Sequence, residues 1–130
     1  MDDCIFCKII RGEIQSYKIY EDKVFIVFLD INPCEKGHVL IIPKSHFENI
    51  FDLPEGIASD VLKLGKRVAI SIQKALKPTG FKFIQNNGKS ADQVIGHYHM
   101  HIIPKYDKQY DEVEKKNFEE IKKRIISALN

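Results

Sequence analysis

Two periods organise the hydrophobic residues of this chain. Between positions 57 and 76, Ile57, Val61, Leu64, Val68, Ile72 and Leu76 recur at three- and four-residue steps. Such a stripe lies along one side of a helix of 3.6 residues per turn and predicts a long helix over 54–77. Asp52 is placed to cap its start, and the Lys-Pro-Thr-Gly run beginning at Lys77 closes it. A second stripe of Phe118, Ile121, Ile125 and Leu129 predicts a helix over 111–129. Elsewhere the apolar residues form short runs between turn formers. These predict strands at 17–22, 24–30, 38–43, 81–86 and 96–104, after a short helical turn at 4–11. The turn-rich segment 31–37 separates the second strand from the third, which Pro43 ends. The order of strands, helix, strands, helix, joined by tight loops, implies an α+β fold. An antiparallel sheet of five strands would carry two main helices.

Nothing divides the chain further. It shows no repeat, low-complexity tract or Gly/Ser linker, so a single domain is expected over 1–130. No apolar run approaches the roughly 20 residues that span a bilayer. The acidic start lacks a leader's basic region with a cleavage site, so the expected location is the cytoplasm, without membrane association. Net charge is only +2, and the C-terminal segment mixes both signs, which argues against a nucleic-acid-binding surface.

The candidate chemistry is concentrated in GHYHMHIIP, residues 96–104. It holds three of the chain's five histidines, at every second position. On a strand, His97, His99 and His101 would line one face, with Tyr98, Met100 and Ile102 on the other, toward the core. Solvated strand faces ordinarily use Thr, Lys or Glu, so a row of imidazoles points to function. Two readings stand together. Neutral imidazoles could bind a metal. Alternatively, crowded rings disfavour one another's positive charge, leaving a neutral ring nitrogen free to attack an anionic substrate such as a phosphate. The pair Cys4 and Cys7 forms a C-x-x-C, which suits metal or redox chemistry in a reducing compartment; Cys34 stands alone in a loop. Gly88-Lys89-Ser90 imitates the end of a phosphate-binding loop. That motif's first glycine would fall on Phe83, so this reading fails.

HYHMHII has the pattern His-φ-His-φ-His-φ-φ, with φ hydrophobic, and on it the chain resembles the histidine triad (HIT) superfamily. CIFCKIIRGEI, FLDINP, GHVLIIPKSH and NNGKSADQVIGHYHMHIIPKY extend the likeness, in the family's order, over residues 4–106. It looks closest to the Hint-like branch, in its microbial zinc-carrying form. The resemblance implies a HIT-like fold and hydrolysis of purine nucleoside phosphoramidates or adenylylated compounds at the α-phosphate. His99 would attack phosphorus and form a nucleotidyl-histidine intermediate. His101 would contact the phosphate and assist the leaving group, His97 would support His99, and His38 would complete the site. Phe28, Asp30 and Ile31 match the base and ribose pocket, and Asn86 and Gln93 match positions near the phosphate. In zinc-carrying members a C-x-x-C pair joins a histidine and the first triad histidine, here Cys4, Cys7, His46 and His97 in a structural site. The resemblance also implies a two-fold homodimer. Two departures stand out. Asp92 replaces a glycine before the glutamine and adds a carboxylate, and Val94 replaces a hydroxyl residue. They leave room for a nucleotide-binding or zinc-held interaction module with little turnover; hydrolysis of dinucleoside polyphosphates is a close alternative activity.

Overall fold

A computed structural model of the chain describes residues 3–129. Met1 and Asp2, part of the acidic start, and Asn130 lie outside the described residues. Five antiparallel strands form one sheet: β1 (Lys18–Glu21), β2 (Phe25–Leu29), β3 (Val39–Pro43), β4 (Gly80–Ile84) and β5 (Met100–Lys105). Their spatial order is β1-β2-β3-β5-β4, so the returning strand β5 inserts between β3 and the outer β4. The helices are α1 (Ile5–Ile10), α2 (Glu55–Leu76), α3 (Glu112–Lys115) and α4 (Phe118–Ala128).

The sheet is covered on both sides, which explains why β2 and β3 read as unbroken apolar runs: every residue of both is buried. On one side Val27, Leu29, Val39, Ile41 and Ile102 pack with Val61, Leu64, Val68 and Ile72 of α2 and Ile121 and Ile125 of α4. On the other, Ile26 and Phe28 of β2 and Leu40 and Ile42 of β3 pack with Phe6 of α1. Alternating residues of each strand therefore serve two cores.

Three expectations shift, and one short element is new. The N-cap of α2 is Pro54 rather than Asp52. The Asp52 carboxylate instead accepts from the backbone N–H groups of Glu48 and Asn49 and ties down the preceding loop. The C-terminal helix is split at Lys116–Asn117 into α3, which opens with a capping box from Asp111, and α4. A single 3-10 turn, Lys89–Ala91, interrupts the loop after β4. Finally, β5 begins at Met100 rather than near 96. Its ladder with β3 ends at Ile41 opposite Met100. Beyond that point Pro43 has no N–H to donate, and the Tyr98 N–H turns to the Phe47 carbonyl at 2.6 Å. His97, in a bend, and His99 thus lie on the approach to β5, outside the ladder.

Candidate functional site

The α1 side of the sheet contains a cavity of about 350 Å³. Phe28 and Leu40 contribute from the strands, Phe6 and Ile9 from α1, and His99 and His101 from the β5 segment. Phe6 meets the His99 ring edge-on, with centroids 5.0 Å apart. His99 and His101 stand in the same relation, also at 5.0 Å.

Hydrogen bonds assign opposite tautomers to these two rings. His99 Nδ1 lies 2.7 Å from the His97 carbonyl oxygen. A carbonyl only accepts, so Nδ1 carries the proton and Nε2 keeps its lone pair. For His101 the chain starts at a backbone amide. The Cys34 N–H donates to His38 Nδ1 at 3.1 Å, which leaves the His38 proton on Nε2. That Nε2–H faces His101 Nδ1 at 3.0 Å and donates to it, so the His101 proton sits on Nε2. One ring offers a free lone pair and its neighbour an N–H donor.

Burial holds these rings neutral. It lowers the His99 pKa, against the opposing pull of the His97 carbonyl and Asp30. It lowers that of His38, again against Asp30. For His101, burial followed by the neighbouring His99 and His38 brings the pKa down to about 4, with Asp30 opposing. Asp30 is itself anchored: Oδ1 accepts from the Asn32 N–H at 2.8 Å, and Oδ2 lies 3.5 Å from His38 Nε2. The His101 ring is therefore expected to stay uncharged from pH 8 down to about 5. Its C–H resonances in an NMR titration should move only as the pH nears 4, and a midpoint near the ordinary 6.5 would refute the assigned environment. The linkage has a definite sign. Between about 4 and 6.5 the unfolded chain binds more protons at this residue than the folded one. Stability from this group is thus complete above the unfolded value and is lost as the pH falls toward 4.

His97 is turned elsewhere. It is fully buried, and Nε2 donates to the Pro43 carbonyl at 2.9 Å, so its lone pair is on Nδ1. That Nδ1 lies 3.4 Å from Cys4 Sγ, 3.6 Å from Cys7 Sγ and 3.1 Å from His46 Nδ1. Cys7 Sγ is 3.3 Å from His46 Nδ1. Zinc bonds of about 2.0–2.3 Å to N and S imply tetrahedral ligand-to-ligand edges of roughly 3.3–3.8 Å. Three of these four separations fall within that range and the His97–His46 one just below it, and all four atoms lie within 4.8 Å of one another. Two thiols and two imidazoles that converge in this way can hold a metal ion, with the Pro43 carbonyl orienting His97. The thiols come from the start of α1 because Cys4 is its N-cap and Cys7 lies one turn on.

Of the residues matched to a nucleotide pocket, Phe28, Asp30, Ile31, His99 and His101 line the cavity. Asn86 and Gln93 do not. Gln93 is buried and fully engaged: Oε1 accepts from the Gly88 N–H, and Nε2 donates to the Glu48 and Ile95 carbonyls. It braces the loop that precedes the histidines. Asn86 Nδ2 donates to the Asp92 carbonyl at 3.4 Å. Asp92 and Val94 line the cavity instead. Asp92 has φ 69°, the left-handed conformation in which glycine is at ease and Asp is among the few tolerated residues. Lys44 is paired with Glu21 at 2.7 Å. Sequence reasoning missed the α1 wall and the Cys34 amide. A helical period in IFCKII hints at the first; a backbone donor leaves no trace in side-chain types.

A family model described as HIT domain matches residues 11–108. Protein hit of Bacillus subtilis is 45% identical over 107 residues, covering 82% of this chain and 74% of its own. An adenosine 5'-monophosphoramidase of Saccharomyces cerevisiae is 46% identical over 106 residues, covering 82% of this chain and 65% of its own length. A zinc-bound histidine triad family protein from Mycobacterium smegmatis superposes with a TM-score of 0.87 at 30% identity. That match covers 98% of this chain and 93% of the other.

Proposed function

The chain belongs to the HIT family, and from that premise we propose that it is a hydrolase of purine nucleoside phosphoramidates or related adenylylated compounds, acting through a covalent nucleotidyl-histidine. The opposed tautomers of His99 and His101 carry this reading. The apolar half of the cavity, with Phe28, Ile31 and Phe6, takes the base, and the Asp30 carboxylate accepts from the ribose hydroxyls. His99 Nε2 attacks the α-phosphorus. The P–N bond breaks, and the departing nitrogen takes one proton from solvent and leaves as the amine. The His101 Nε2–H donates to the phosphate and the leaving atom, and His38 holds His101 in that tautomer. Positive charge that develops on the His99 ring is stabilised through its Nδ1–H by the His97 carbonyl. Water then cleaves the phosphorus–His99 bond, loses a proton, and releases the nucleoside monophosphate with His99 neutral again.

Cys4, Cys7, His46 and His97 would hold zinc in a closed, structural site. The bound ion would supply rigidity at the chain entry to His99, and no chemical step passes through it. Of the two edge strands β1 and β4, the latter, with the exposed Phe83 on it, is the edge by which two chains would join as a homodimer. A panel of adenosine phosphoramidates and dinucleoside polyphosphates tests the activity. Release of AMP from the phosphoramidates at rates at least tenfold above those from the polyphosphates is expected. Nucleotide binding without release from any compound would identify a binding module instead.

A further inference from the structure

Among the described residues that line the cavity there is no Lys or Arg, although the chain holds 20 of them. Two carboxylates, Asp30 and Asp92, are present. Asp30 is engaged by the Asn32 N–H and faces His38. Asp92 differs. It is exposed, and among the described residues no basic side chain pairs with it. Its backbone is fixed by the 3-10 turn, whose Lys89 carbonyl accepts the Asp92 N–H, and by the Asn86 amide on its carbonyl. The turn's backbone hydrogen bonds thus place Asp92 at the cavity wall. Because burial also keeps His38 and His101 uncharged, the cavity's formal charge is negative. A substrate bearing several phosphate charges meets repulsion there, and one whose leaving group is cationic meets attraction.

Resting on the hydrolase reading above, we infer that Asp92 is a specificity-determining residue that selects phosphoramidates whose leaving amine carries a second, positively charged ammonium group. Val94 beside it is apolar, so the leaving group's carbon chain lies along Val94 and its far ammonium reaches the carboxylate. Asp30 remains with the ribose, and the two carboxylates serve opposite ends of one substrate.

Two adenosine phosphoramidates of equal length provide the test. One releases propanediamine, which ends in an ammonium; the other releases butylamine, which ends in a methyl. The readout is the ratio of their kcat/KM values. Asp92→Asn keeps the size and tolerates the left-handed backbone, so the fold is retained. The ratio of diamine to butylamine is expected to fall about fivefold in the variant, the factor of one solvent-exposed ion pair. It should also shrink in the wild type at about 0.5 M salt. A ratio unchanged by the substitution overturns the inference while leaving the hydrolase reading intact. Should neither compound be turned over, the hydrolase reading fails, and calorimetric binding of the same two compounds to both proteins decides the role of Asp92 by the same ratio.

Discussion

Replacing His99 with alanine is expected to lower kcat/KM for an adenosine phosphoramidate by about 10⁴-fold or more, to the level of the solution background. The size follows from what is removed. His99 Nε2 is the one uncommitted lone pair in the two cavity-lining imidazoles, because the His101 Nδ1 lone pair accepts from His38 and its proton is placed on Nε2 by the chain from the Cys34 amide. His101 cannot take over without that whole hydrogen-bonded chain reversing, and a reversed His38 would set its Nδ1–H against the Cys34 N–H. The substitution leaves the His97 ring and its thiol neighbours in place, so a melting curve and metal content like those of the wild type separate lost chemistry from lost folding. Turnover at the normal rate would sink the assignment.

Stripping zinc from the purified protein, or introducing Cys7→Ser, is expected to reduce stability by at least about 3 kcal/mol. For a chain of this size that is a fall in melting temperature of roughly 10 °C. Four groups from three separate stretches, the start of α1, the segment after β3 and the approach to β5, converge on one point. Without an ion, two thiols and two imidazoles are packed together with the His97 ring wholly buried. The loss should reach activity as well. The His97 carbonyl holds the His99 proton, and Phe6 of α1 lies against both rings. Loosening His97 therefore blurs the tautomer on which attack depends. Elemental analysis of untagged protein should find about one zinc per chain; none bound after refolding with zinc, or identical melting with and without it, would contradict the site.

Much of this was legible in the residues. The stripes from Val61 to Leu76 and from Phe118 to Leu129 placed the helices because tertiary packing follows the same 3.6-residue period. Strict alternation put Tyr98 and Ile102 in the helix-side core and His99 and His101 on the other face. The start of β5 was not legible. It depends on Pro43 in another strand and on the Phe47 carbonyl that captures the Tyr98 N–H. The break at Lys116–Asn117 escaped because the apolar stripe starts only at Phe118, so its period says nothing about where the preceding turn ends. Gln93 resembled a ligand contact by position, yet its three bonds are all to backbone groups of neighbouring loops. Only the folded arrangement shows which polar groups are already spent. The Asp92 backbone, by contrast, has a sequence signal: a residue where the family places glycine marks a left-handed position that Asp can occupy.

The central claim is that His99 Nε2 bonds to phosphorus. Wild-type protein mixed rapidly with an adenosine phosphoramidate and quenched in alkali, where a phosphohistidine survives, should gain the mass of one adenylyl group. Peptide mapping should place that group on His99, and the His99→Ala protein should gain nothing. An adduct on His101 or on a cysteine, or steady release of AMP with no adduct at any time, would contradict the account.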